Sequence, residues 1–152
     1  MENDHLAVLG EVLSSVLERF AFMFADPADL DELLPPEGTA LKAQMSFKGN
    51  FKGTLSLVVP SRMAYELSSN ILGTEPDDPS GETKAQDALK ELLNVCCGNV
   101  LIEIAGDQPV FDLSVPEVSE ISAEEWEPLR GDPNTAGFMV DDYSVLARID
   151  IE

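Results

Sequence analysis

The run 84–100, KAQDALKELLNVCCGNV, carries Asp87, Glu91, Asn94 and Gly98 at successive steps of four, three and four residues inside an otherwise apolar stretch. At 100° per residue these four fall within an arc of roughly 60°, while Leu89, Leu92, Leu93, Cys96 and Val100 gather on the opposite side. The polar stripe therefore faces away from the core. A solvated helix face accounts for Asp87 and Glu91 but not for the rest. Asparagine is a poor mid-helix residue, and a mid-helix glycine costs about 1 kcal/mol relative to alanine, so a surface selected for stability alone would carry Glu, Lys or Ala at 94 and 98. An amide does not titrate, so Asn94 cannot act as a strong base; it can hold and aim a water through one donor and one acceptor. Aiming a nucleophile is the main catalytic lever in phosphoryl transfer, whose loose transition state asks little covalent work of side chains. Glu91 can pair with a cation on a partner, and the missing side chain at Gly98 leaves room for another backbone. The stripe reads as half a site, completed by a second molecule.

Other chemistry is scarce. His5 is the only histidine, so a Ser/His or Cys/His pair would have to be built on that one residue. Cys96 and Cys97 are adjacent, which gives neither a disulfide framework nor the CxxC spacing of a redox or zinc site; small, polarizable packing is their expected role. The acidic clusters DPADLDE, EPDDPSGE and DPNTAGFMVDD lack the alternating oxygen ligands, central glycine and terminal glutamate of an EF-hand loop. They read as solvated loops, and no metal site is expected. Trp126, within EEWEPLR, fits a partner anchor and a cover for a sheet edge equally well.

The elements that position the stripe are read from periodicity. Leu6, Leu9, Leu13, Val16, Leu17, Phe20 and Phe24 mark one face of a helix from Leu6 to about Ala25, ended by Asp26-Pro27. Residues 26–38 are acidic and Pro-rich, hence a loop. ALKAQMSFK alternates, with Leu41, Ala43, Met45 and Phe47 on one side; after the Gly49-Asn50 turn, FKGTLSLVVP resumes with Leu55, Leu57 and Val59 inward, predicting an antiparallel hairpin. Ser61 is placed to cap a short helix through Leu72, stopped by Gly73. TEPDDPSGE then links to the stripe helix, which is predicted to open at Thr83 and Gln86 in capping-box spacing and to run to about Ala105, before Gly106. Beyond it lie a strand at VFDLSV, a polar acidic stretch from about Pro116 to Asn134, and two strands around GFMV and YSVLARIDI that turn at Asp141-Asp142. In the last of these, Tyr143, Val145, Ala147, Ile149 and Ile151 share a face. The expected fold is α+β: a mostly antiparallel sheet of about five strands with two long helices and one short helix packed on one face, residues 1–152 forming a single domain.

With 29 acidic against 9 basic residues the chain carries a net charge of −20. Phosphate backbones and anionic lipid surfaces normally require clustered Lys and Arg, so nucleic acid and membrane are not expected partners. No run of eighteen apolar residues and no leader pattern is present, and unpaired cysteines suit a reducing compartment, so a cytoplasmic location is expected.

The spacing Asp87, three residues, Glu91, two residues, Asn94, with Gly98-Asn99 behind it, resembles the motif of the CheC/CheX/FliY family of phosphatases that act on phosphorylated CheY. The order of elements agrees over most of the chain: a first helix, a hairpin ending in GTLSLVVP, a short helix ending in NILG, then the motif helix. The single motif and the length are closer to CheX than to CheC. The resemblance implies that Asn94 enters the acidic pocket of a phosphorylated CheY-like response regulator and orients water in line with the aspartyl phosphate, while Glu91 binds the regulator's lysine. The regulator would supply both Mg²⁺ and the phosphorylated aspartate, leaving this chain without a cofactor of its own. Asp87 and Gly98 would support docking, with Lys84 and Lys90 flanking the stripe and making it locally less acidic than the whole. CheC-like relatives carry a second motif on the first helix. Here Ala7, Glu11, Ser14 and Glu18 share the matching arc, but Ser14 stands where asparagine is needed and Glu18 where glycine clears space, so the Glu11/Ser14 site reads as degenerate. Some CheX relatives dimerise through their sheets, which makes the strand-rich C-terminal end a candidate homodimer surface. Two rival readings stay open: a module of the same fold that binds a receiver or a flagellar or chemosensory protein without turnover, and a scaffold with no receiver partner.

Overall fold

The alternation at 40–48 and 52–60 becomes the central hairpin of a sheet in the computed structural model, which describes residues 2–75 and 77–152, the side chains of residues 2–4 excepted. The strands are β1 (Ala25–Ala28), β2 (Ala40–Lys48), β3 (Lys52–Pro60), β4 (Asp112–Leu113), β5 (Glu117–Ile121), β6 (Thr135–Val140) and β7 (Tyr143–Ile151). The helices are α1 (Glu2–Val16), α2 (Ser61–Leu72), α3 (Gly81–Ala105) and α4 (Ala123–Leu129). Strand order is β1-β6-β7-β3-β2, every pairing antiparallel, with β4 and β5 both pairing β2, at its C-terminal and N-terminal ends respectively. The sheet thus has seven strands rather than about five, because short strands extend it at both edges. β7 lies between β6 and β3. β1 in turn pairs with Gly137–Val140 of β6.

Period-2 alternation assigns the two faces. Leu41, Ala43, Met45 and Phe47 of β2, Leu55, Leu57 and Val59 of β3, and Val145, Ala147 and Ile149 of β7 join one buried cluster with α1, α2 and α3. Ala40, Val58, Ile121 and Leu146, of opposite parity, form a second cluster with Leu33 and Trp126. The helix layer is as the sequence predicts, and α4 is an addition on the other face. Trp126, 1% exposed, belongs to that second core, with the Arg130 guanidinium 5.8 Å from its ring centroid.

Several expectations need correction. The stretch 116–134 holds β5 and α4. A capping box starts α4, the Glu125 N–H donating to Ser122 Oγ at 3.3 Å and the Ser122 N–H to Glu125 Oε1 at 3.2 Å. Residues 26–38, expected as loop, contribute β1, where Pro27 is tolerated because the strand is at the edge. VFDLSV supplies only the two strand residues of β4. Ser61 is the first helical residue of α2 after Pro60 and does not cap it; its hydroxyl meets Thr39 Oγ1 at 2.7 Å. Thr83 and Gln86 lie inside α3, which starts at Gly81, so no capping box forms there. Gly73 does end α2, at φ 71°, with the Gly73 and Thr74 N–H groups donating to Ser69 and Ser68 carbonyls.

The first helix departs from its predicted phase at its end. Leu17–Ala21 is a π-turn, whose wider winding rotates the residues C-terminal to it relative to a regular helix. Leu17, Ala21 and Met23 take the inward places, leaving Phe20, Phe22 and Phe24 exposed. Phe22 closes the turn in the left-handed region at φ 56°, and the Asn70 amide of α2 donates to the Ala21 carbonyl at 2.6 Å. No helix among the described residues is long and apolar enough to cross a membrane.

Candidate functional site

α3 is a 25-residue rod, and what fixes it is its buried side. Ala85, Ala88, Leu89, Leu92, Leu93, Cys96, Cys97, Val100 and Leu101 are all buried, including every residue the sequence predicts for the inward face. Full burial of a leucine side chain contributes about 1.5–3 kcal/mol, so four of them outweigh the penalty of about 1 kcal/mol for a glycine at 98. The ends are secured as well. At the start, Asp78 Oδ1 accepts from the Ser80 N–H at 2.8 Å and from Ser80 Oγ at 2.6 Å, and Lys84 Nζ donates to Asp78 Oδ2 at 2.8 Å. At the finish, the Gly106 N–H donates to the Ile102 carbonyl at 2.8 Å, with Gly106 at φ 84°. Phe111, just beyond, packs on Phe47 and Phe51 with ring centroids 6.3 and 5.0 Å away, tying the exit segment to the β2–β3 hairpin.

On the outer side of this rod Asp87 and Glu91 are exposed, and Asn94 and Gly98 are half-buried. Among the described residues, the Glu91 and Asn94 side chains form no hydrogen bond or ion pair within the chain. Asn99 differs: its amide donates to the Val95 carbonyl at 2.8 Å and is already occupied. Apart from the adjoining residues and backbone of its own helix, a Cβ built on Gly98 would meet no atom within 4 Å among the described residues, so no packing against other elements asks for a glycine there. The arrangement is a well-packed helix offering two acids, an amide with no partner among the described residues, and a cleared notch to the outside.

The flanking lysines diverge. Lys84 is drawn to Asp78, whose carboxyl its hydrogen bond, with help from Ser80, holds well below the usual carboxylate range. Lys90 turns the other way and lines a depression with Lys42, Gln44, Glu117 and Ser119 against β2 and β5. Glu11 and Ser14 stand on α1, apart from the α3 stripe, and with Ala7 and Glu18 they border one groove of about 820 Å³ against Pro27, Leu30 and Phe138. The shared arc predicted for these four residues is thus present, at an apolar groove. Glu11 also reaches the furrow between α1 and α3, beside Asn99 and Glu103.

Burial pushes the Cys96 thiol up to about 12, with Cys97 beside it adding to the shift, and the Cys97 thiol up to about 11. Both are therefore protonated near neutral pH and poor nucleophiles. Among the described residues no group of three or more His, Cys, Asp and Glu side chains is placed to hold a metal ion. Sequence reasoning passes over Ile102, which is exposed on α3; continuing the four-residue step from Asn94 through Gly98 would find it.

The family model for chemotaxis phosphatase CheX matches residues 41–134, more than half of the chain and inclusive of α3. No curated protein sequence matches the chain. Among solved structures, chemotaxis protein CheX from Vibrio vulnificus superposes with a TM-score of 0.74 at 18% identity, covering 100% of this chain and 99% of its own. CheX in the CheX–CheY–BeF3–Mg complex from Borrelia burgdorferi gives 0.70 at 17%, with 97% of each chain covered. A CheC-like superfamily protein from Shewanella sp. PV-4 gives 0.68 at 20%, covering 100% and 99%. At these identities the likeness is one of fold.

Proposed function

The chain belongs to the CheX family, and from that premise we propose that it is a chemotaxis-type phosphatase that accelerates hydrolysis of the aspartyl phosphate on a CheY-like receiver domain. Glu91 and Asn94 are the residues that enter the receiver, and Asn94 aims the attacking water. The observation that carries this reading is the state of Asn94: an amide on the outer face of a rod fixed at both ends, with no partner among the described residues of its own chain and an open notch at Gly98 one turn away.

In the reaction a water oxygen bonds to phosphorus as the bond from phosphorus to the receiver's aspartate oxygen breaks, releasing phosphate and restoring the carboxylate. The water must arrive in line with the leaving oxygen. Asn94 can accept a hydrogen bond from that water and fix its direction, which lowers the barrier by positioning rather than by proton abstraction. Glu91, about one turn earlier on the same face, is placed to pair with a receiver lysine and hold the register. Mg²⁺ is the receiver's, and its charge would stabilise the phosphoryl oxygens. The CheX of Borrelia burgdorferi has been solved with CheY, BeF3 and Mg, and we extend that partner class to this chain. Glu11 and Ser14 we take to be inactive, since the hydroxyl is shorter than an amide and Glu18 occupies the place that Gly98 leaves open on α3.

Phosphate release from a panel of the host's phosphorylated CheY-like receivers, with and without this protein, tests the proposal. Acceleration for at least one receiver is expected. Binding to a phosphorylated receiver with no acceleration would leave a docking module without turnover and overturn the enzymatic reading.

A further inference from the structure

Four residues beyond Asn94 comes Gly98, and four beyond that comes Ile102, which is 53% exposed. At 100° per residue Ile102 stands roughly 40° round from Gly98, and about 12 Å along the rod from Asn94. Single exposed apolar residues are ordinary on a protein surface; Ile102 differs in where it stands. It extends the arc of Glu91, Asn94 and Gly98 by one turn. The buried face of α3 is complete without it, Leu101 and Val100 beside it being the inward residues. A β-branched residue is also a weaker helix former than the Lys, Glu or Leu that an exposed position could take. Glycine notch and isoleucine knob are thus two adjacent places where the outer face departs from what the helix alone would favour.

We infer that Ile102 is the apolar anchor of the docking surface, packing against the receiver while Gly98 lets the receiver's backbone pass between the anchor and Asn94. This rests on the phosphatase reading above. Size and continuity identify the occupant. A domain of about 100 residues has a radius of gyration of about 13 Å, so a domain that receives Asn94 also reaches a residue about 12 Å along and roughly 80° round the same rod. Covered there, Ile102 loses its water and contributes to affinity and register, whereas Asn94 contributes to the chemical step. Ile102 is a docking residue in this scheme: it strengthens receiver binding and leaves the chemical step to Asn94.

The test is steady-state dephosphorylation of the receiver by Ile102→Ala, Ile102→Asp and Ile102→Leu, with thermal unfolding of each variant as the check on folding. The expected result is a KM raised about tenfold by alanine and further by aspartate, kcat within about twofold of the wild type, and near-normal values for leucine. An unchanged KM for the aspartate variant would overturn the anchor while leaving the phosphatase reading intact. Should the wild-type protein fail to accelerate phosphate loss, the phosphatase reading falls, and the affinity for a receiver loaded with beryllium fluoride and Mg²⁺ decides the anchor separately. Weaker binding by Ile102→Asp than by wild type would uphold it; equal binding, or none by the wild type, would overturn it.

Discussion

Asn94 and Gly98 lie one helical turn apart on the outer face of α3, and, apart from the adjoining residues and backbone of its own helix, no atom among the described residues comes within 4 Å of the place where a side chain at 98 would begin. The glycine weakens the helix and relieves no internal crowding. Its contribution must then be sought outside the molecule, next to the amide.

That separation makes stability and activity move in opposite directions. Gly98→Ala should raise stability by about 1 kcal/mol, and Gly98→Leu should melt at or above the wild-type temperature while losing receiver dephosphorylation, because the larger side chain fills the notch. Thermal unfolding and phosphate release on the same samples check this. A joint loss of stability and activity would mean that the glycine serves the chain's own packing.

The anchorage of the α3 start should be sensitive to pH. Lys84, with the Ser80 N–H and hydroxyl, lowers the Asp78 carboxyl below its ordinary value of 3.8. A group whose folded pKa is depressed adds stability above its unfolded value, and that stability is lost as pH falls through the folded pKa. Asp78→Asn should therefore lower the melting temperature near neutral pH, and its difference from wild type should shrink as pH is taken below 3.8. A difference that persists unchanged into strong acid would contradict the assignment.

Trp126 sits in the core on the far face of the sheet with Leu33, Ala40, Val58, Ile121 and Leu146. Trp126→Ala should cost about 3–5 kcal/mol in urea unfolding, and the wild-type tryptophan should emit at short wavelength in the folded state only. A loss below about 1 kcal/mol would imply that the pocket collapses without it.

The parts of the fold readable in the sequence are those whose hydrophobic period is unbroken. The stripe helix, the β2–β3 hairpin and the middle of β7 (Val145, Ala147 and Ile149) each bury one face, so alternation or helical spacing marks them directly. β5 escapes such a reading because an edge strand with Glu117 and Glu120 exposed leaves only Val118 and Ile121 as apolar signal. The Ser122/Glu125 capping box is present in the sequence, yet it starts a helix of seven residues, too short to show a period. Regular helical spacing puts Phe20 and Phe24 inward; the π-turn changes the phase, and periodicity alone cannot foresee a change of winding. For the site, burial and spacing disclose Glu91, Asn94 and Gly98 as an outward group. Only the folded chain reveals the pairing of Lys84 with Asp78 and the departure of Lys90 toward β5.

The most direct measurement is the rate of phosphate loss from a phosphorylated receiver with wild-type protein and with Asn94→Ala, at receiver-saturating concentrations. If the amide aims the water, its removal should slow the reaction by on the order of 10²-fold with binding retained. Equal rates for the two proteins would contradict that role.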